Sequence, residues 1–204
     1  MSIQHRWDVL NGIAGAIRAQ RYLEIGVQRG ECLHRVHVAE KVGVDPDRSS
    51  AATVHMTSDA YFDALPEDFK PFDLVFIDGL HHAEQVVQDV QNALLWTSPY
   101  GVIVLHDCDP PDERAARRTP CAGQWCGDVW RAWLQLRTRL GLKMEVMDVD
   151  LGCGVIWKGG YWSGNAPPPD LDPMATWSRF REHRRSWLNL VPVAVFEAGL
   201  GPPK

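Results

Sequence analysis

Four short stretches of this sequence combine residue types that can do chemistry. Asp78-Gly79-Leu80-His81-His82 sets an acid three residues before a histidine. An imidazole with an unperturbed pKa near ~6.5 takes up a proton at neutral pH. Gly79 permits an unusual backbone angle that would turn the next side chains into a cleft. The plainer alternative is that His81 and His82 only open a helix. His106-Asp107 ends an apolar run in the same way. In Glu24-Ile25-Gly26-Val27-Gln28-Arg29-Gly30, Gly26 allows a tight turn with room for a ligand, and Gly30 starts a helix whose N-terminus can receive polar or anionic groups. Glu24 is an acid inside an otherwise apolar run. A generic strand-to-helix turn would look similar. Asp45 lies about twenty residues past that turn, where an acid in nucleoside-binding sheets takes ribose hydroxyls. An Asp-Pro pair can also be a mere turn or cap. The turn is not Gly-x-Gly-x-x-Gly, which counts against NAD or FAD.

These residues need strands to carry them. Tyr22–Val27, Lys41–Pro46, Phe72–Asp78 and Gly101–Asp107 read as strands, with Ala52–Met56 a weaker one. The near-continuous apolar runs at 72–78 and 101–107 suit a parallel sheet covered on both faces. Apolar spacing predicts helices over Trp7–Ile17, around Cys32–Val38 and around Val86–Leu94. Residues 108–127, rich in Pro, Arg, Gly and Cys, form a long loop. Val129–Leu140 then reads as a helix, and Leu142–Val149 and Val155–Trp157 as an antiparallel pair across a Gly-rich turn. A last helix is expected over Pro173–Leu188. Strands alternating with helices give an open, doubly wound, Rossmann-like α/β sheet, in which ligands bind beyond the carboxyl ends of the strands. Glu24/Gly26, Asp45, Ser58/Asp59, Asp78 and His106/Asp107 all fall at those ends. A purely structural sheet has no need of acids there.

Composition narrows the classes. The chain has 204 residues and a formal net charge of -5. This suits one domain and argues against a basic nucleic-acid-binding surface. No run approaches the ~20 apolar residues of a membrane helix. The start, Met1 to Asp8, lacks the pattern of a signal peptide. Five cysteines, an odd count, favour reduced thiols and a cytoplasmic location. A Cys121–Cys126 disulfide or half of a metal site is the alternative. His5, His34, His37, His55 and His183 read as surface residues. Arg114, Arg117 and Arg118 read as a solvated run or as a basic lid.

The turn Glu24-x-Gly26-x-x-x-Gly30, the later Asp45, and the segments Phe72–His82 and Gly101–Asp107 resemble class I S-adenosylmethionine-dependent methyltransferases. They are most similar to the small-molecule O-methyltransferase branch with macrolide-sugar and cephalosporin-pathway members. The likeness covers residues 20 to about 110; Gly127–Trp130 and Asp150–Ile156 share it less specifically. The resemblance implies a seven-stranded sheet, mostly parallel, with strand seven antiparallel. It implies that Glu24, Gly26 and Gly30 hold the methionine end of the cofactor and that Asp78 also binds the cofactor. Asp45 would hold the ribose, and Ser58 and Asp59 would lie beside the adenine. Ser58 and Asp59 could equally cap the following turn. His81 takes the position of the family's general base, working with Asp78.

Many relatives also carry a divalent metal, which here would fall to Asp78, His106 and Asp107. Two features depart from the pattern. Asp107 is followed by Cys108 rather than Asn, and His106 stands where some relatives have Glu. Mg²⁺ prefers oxygen ligands, whereas an imidazole suits Mn²⁺, Fe²⁺ or Zn²⁺. Without a metal, His106 and Asp107 would touch substrate directly. The expected partner is a small-molecule acceptor, a sugar or natural-product scaffold, and a homo-oligomer is left open. Residues 1–107 would form the cofactor half and 108–204 the acceptor side of one domain, with Trp125 facing acceptor or a second subunit. Other readings are an N-methyltransferase, another nucleoside-cofactor enzyme, or a non-catalytic subunit on this scaffold.

Overall fold

A computed structural model of the chain describes residues 3–159 and 166–200. Trp162 lies outside the described residues. The strands are β1 (Arg21–Ile25), β2 (Glu40–Val44), β3 (Phe72–Ile77), β4 (Thr97–Leu105), β5 (Lys143–Met147), β6 (Cys153–Trp157) and β7 (Leu190–Val191). They form one seven-stranded sheet in the order β2-β1-β3-β4-β6-β5-β7. β6 runs antiparallel to both its neighbours, β4 and β5, and the other pairings are parallel. The sheet is therefore the mixed Rossmann-like arrangement expected, with the antiparallel strand where Val155–Trp157 places it.

Both faces are covered. Leu23, Ile25, Val75, Ile77, Ile103 and Leu105 point to a core shared with α4 (Ala83–Trp96), α5 (Val129–Arg139) and α6 (Trp177–Leu188). Their alternates Tyr22, Leu74, Phe76, Val102 and Val104 face α1 (Arg6–Ile17), α2 (Glu31–Arg35) and α7 (Val193–Gly199). Side chains alternate across a strand, so two cores on two faces require the continuous apolar runs seen in β3 and β4. Trp130, Trp133 and Trp187 are fully buried in the first of these cores.

Three details differ from expectation. Ala52–Met56 is not a strand; a single bridge joins Val54 to Val44. Its residues are half-buried or exposed, so no apolar face commits it to the sheet. The count of seven is instead completed by β7, which pairs with β5. The last expected helix starts at Trp177, capped by Thr176, and the short α7 follows it.

Candidate active site

The carboxyl ends of β1, β2, β3 and β4 meet where the strand order reverses, between β1 and β3. Gly26 leaves β1 with φ +84°, and a Cβ there would run into the carbonyl of Asp78. Only glycine lets these two strand ends approach so closely. Asp45 Oδ2 accepts the N–H groups of Val27 (2.9 Å) and Gln28 (3.0 Å). Its carboxylate thus fixes the glycine turn from the neighbouring strand. A cleft of about 750 Å³ opens above, lined by Gly26, Asp45, Ser58, Asp59, Asp78, Gln85 and Asp89 among others. Gly30, left-handed at the start of α2, lines neither this cleft nor the smaller one beside it. That smaller hollow, about 260 Å³, shares Gly26 and Asp78 and adds Arg6, Glu24, Glu31 and Cys32.

The acids and histidines converge on Asp78, which lines the cleft, whereas His81, His106 and Asp107 line neither hollow. His81 Nε2 lies 3.3 Å from Asp107 Oδ2 and 3.5 Å from Asp78 Oδ1. His106 Nδ1 lies 3.2 Å and 3.3 Å from the same two oxygens. His81 Nδ1 is 3.1 Å from the carbonyl oxygen of Trp125, and the indole stacks on the imidazole at 4.9 Å. Asp107 adopts φ +59°. A left-handed aspartate at a strand end is the kind of local strain that clusters at functional sites.

Residues 23–108 match the family described as methyltransferase domain. Solved structures share the fold. The O-methyltransferase TomG from Streptomyces achromogenes, involved in tomaymycin synthesis and solved with SAM, is 20% identical with a TM-score of 0.59, over 76% of this chain and 80% of that one. An O-methyltransferase from Bacillus cereus in complex with SAH is 14% identical with a TM-score of 0.57, over 75% and 80%. The SAH-bound methyltransferase PaMTH1 from Podospora anserina is 15% identical with a TM-score of 0.56, over 75% and 78%. No curated protein sequence matches.

Residues 23–108 thus resemble a methyltransferase domain, on a fold shared with solved SAM- and SAH-bound methyltransferases.

The electrostatics of the site follow from burial. Burial pushes the Glu24 carboxyl up to about 7, against the opposing donation of the Tyr22 hydroxyl at 2.6 Å. Burial would lower His81, but hydrogen bonding and charge from Asp78 and Asp107 outweigh it, and its pKa is raised. His106, with Asp150 as a third acid at 3.7 Å, is raised well above the usual imidazole range by the same contest. Burial would raise Asp78; the two imidazoles instead hold it well below the carboxylate range.

Several site residues were not legible in the sequence. Arg6, at the start of α1, reaches Asp150 Oδ2 with Nη1 at 3.3 Å, and its Nε lies 3.8 Å from Asp78. Asp89 is buried in α4 and accepts from the Ser58 hydroxyl (2.6 Å) and Gln85 (3.0 Å). A polar residue inside an apolar helix face was the available signal for Asp89. Gly127 (φ +60°) packs directly on the His81 carbonyl, and Asp128 N donates to that carbonyl at 3.1 Å.

Other expectations are corrected. Gly79 does not adopt a left-handed φ, because the chain turns at Gly26 instead. Thr57, not Ser58, caps α3 (Ser58–Asp63); the Ser58 hydroxyl is committed to Asp89. Cys108 is buried with its thiol pushed well up, which makes it unreactive. Cys121 and Cys126 are free. Arg118 pairs with Glu84 and Asp128 rather than standing free. His183 is half-buried and pairs with Asp170 at 2.9 Å.

Proposed function

We propose that this methyltransferase transfers the methyl group of S-adenosylmethionine to a hydroxyl of a small molecule, with His81 taking the hydroxyl proton. The observation that carries this reading is the tautomer imposed on His81. A carbonyl only accepts, so Nδ1 facing Trp125 keeps its proton in both charge states. Nε2 is then the atom that gains and releases a proton. A neutral alcohol is a weak nucleophile, so its O–H must break as the new C–O bond forms. S-adenosylmethionine, when bound, would supply the methyl group, its sulfonium sulfur keeping the bonding pair so that S-adenosylhomocysteine is the leaving product. The proton goes to Nε2, where Asp78 and Asp107 stabilise the imidazolium. In the same reading Glu24, Gly26 and Gly30 serve the methionine end. Asp45 serves the ribose, and Ser58 and Asp59 serve the adenine, now joined by Gln85 and Asp89.

A divalent cation fits these residues. Asp107 Oδ1 is buried without a hydrogen-bond partner, and two carboxylates with an imidazole make a borderline donor set. Asp78, His106 and Asp107 would hold the ion, which supplies Lewis-acid charge that lowers the acceptor's pKa. The group at ligand spacing among the described residues, however, joins Asp78 and Asp107 to His81 rather than His106, and as a ligand His81 could not be the base. Metal analysis separates the two: His106→Ala should lose the ion and His81→Ala should keep it. The reverse result would remove His81 as base.

The reading extends to residues 1–107 as cofactor half, 108–204 as acceptor side and the cytoplasm as location. The free cysteines support that location; no helix among the described residues is long and apolar enough to cross a membrane. Calorimetric titration of S-adenosylhomocysteine, with and without EDTA, tests cofactor and metal together. A panel of hydroxyl and amine acceptors then tests the reaction. Methylation of amines alone would overturn the hydroxyl assignment, and no binding of S-adenosylhomocysteine would overturn the whole.

A further inference from the structure

We propose that Arg6 binds the α-carboxylate of the cofactor's methionine end. This rests on the reading that the cleft takes S-adenosylmethionine. The 260 Å³ hollow opens beside the large cleft and shares Gly26 and Asp78 with it. An amino-acid tail entering it carries an ammonium and a carboxylate on one carbon, and needs an acid and a cation close together. Glu24 and Asp78 provide acids. Among the residues lining the hollow, the cations are Arg6 and Arg29. Arg29 is exposed, whereas the Arg6 side chain is largely buried.

The Arg6 guanidinium is only partly used. Nη1 reaches Asp150 at 3.3 Å. Nε is buried without an acceptor, 3.8 Å from Asp78, and Nη2 is 3.8 Å from Glu31. The Nε–Nη2 edge is the one that grips a carboxylate through two parallel hydrogen bonds. A buried N–H without an acceptor is costly, and a bound carboxylate removes that cost. The backbone of Arg6 is fixed as well, its N–H donating to Asp150 Oδ2 at 2.9 Å. Without Arg6 the hollow would present Glu24, Glu31 and Asp78 to an incoming anion.

The test compares two ligands that differ only in the carboxylate: S-adenosylhomocysteine and 5′-(3-aminopropylthio)-5′-deoxyadenosine. Calorimetry on the full chain should show the wild type preferring the first by about 10- to 100-fold, the range of a hydrogen-bonded charge pair. In Arg6→Gln the preference should shrink to within about threefold, while Arg29→Gln should keep it. A general loss of stability would weaken both ligands alike and leave their ratio unchanged. Should Arg6→Gln fail to fold, Arg6→Lys decides: it keeps the charge without the fork, and its preference should fall. Full preference in the folded Arg6 variant overturns the inference, as does a preference lost in Arg29→Gln or absent from the wild type. A wild type that binds the decarboxylated ligand and S-adenosylhomocysteine equally defeats Arg6 alone. One that binds neither defeats the cofactor reading and Arg6 with it.

Discussion

Glu24 sits in a buried strand, and its burial has opposite consequences for stability and for binding. Its folded pKa is raised from 4.5 to about 7, so the folded state holds the proton more tightly than the unfolded one. Stability from this group is fullest below about pH 4.5 and is lost as pH rises through about 7. At about 1.36 kcal/mol per pH unit the loss is roughly 3 kcal/mol. Glu24→Gln should therefore raise the Tm of the ligand-free protein at pH 8 by up to about 10 °C, while weakening S-adenosylhomocysteine in calorimetry. A lower Tm would contradict the burial argument. His81 carries the second prediction. The proposed base must be neutral to act, and the pKa of His81 is raised by Asp78 and Asp107. Turnover should climb with pH to a plateau reached above the ordinary imidazole value. His81→Ala should lower kcat by about 10²- to 10⁴-fold and leave the Kd for S-adenosylhomocysteine nearly unchanged. The acids and histidines were legible because each ends an apolar run. Arg6 and Asp150 were not, because 144 residues separate them and no local pattern marks either end of a contact made by the fold.

At the scale of elements, the segment 125–128 determines where His81 points. Trp125 accepts from the imidazole, Asp128 Oδ1 accepts from Ala83 N at 2.7 Å at the start of α4, and Gly127 touches the His81 carbonyl. Gly127→Ala combines a left-handed φ with a collision. It should cost about 1–3 kcal/mol in denaturant unfolding and lower kcat more than it raises KM for the cofactor. An unchanged kcat would mean that the loop does not orient the base. Strands β3 and β4 were readable because burial on two faces leaves no polar alternation. The stretch Ala52–Met56 offered no such constraint, and only Val54 pairs. β7 and α7 are not legible, because two residues and about two helical turns leave too little periodicity to read.

Across the whole molecule the charges near the cleft act on stability together. Asp78 and Asp150 have depressed folded pKa values, so their contribution is present above about pH 4 and lost as pH falls below it. His81 and His106 have raised ones; theirs is complete below about pH 6.5 and lost as pH rises through the folded values. Glu24 acts in the same alkaline direction. Without ligand, Tm measured by calorimetric scanning should peak on the acid side of neutrality, between about pH 4.5 and 6.5. A maximum at pH 8 would refute this account. The sheet and its two covered faces were readable as a class, since composition and strand order leave few alternatives. The joining of Arg6 and Asp150 to Asp78 and His106 was not, because it is a property of closure and not of any segment. Most of the large indoles here are packing material, with Trp130, Trp133 and Trp187 fully enclosed. Trp125 stacks on His81 as Trp187 does on His183 and Trp7 on His5, but of these histidines only His81 belongs to the site. An imidazolium quenches a stacked indole more strongly than a neutral imidazole does. Subtracting the emission of Trp125→Phe from that of the wild type across pH should trace the charge on His81 optically, in resting protein with no acceptor present, which gives the proposed base a spectroscopic signature of its own.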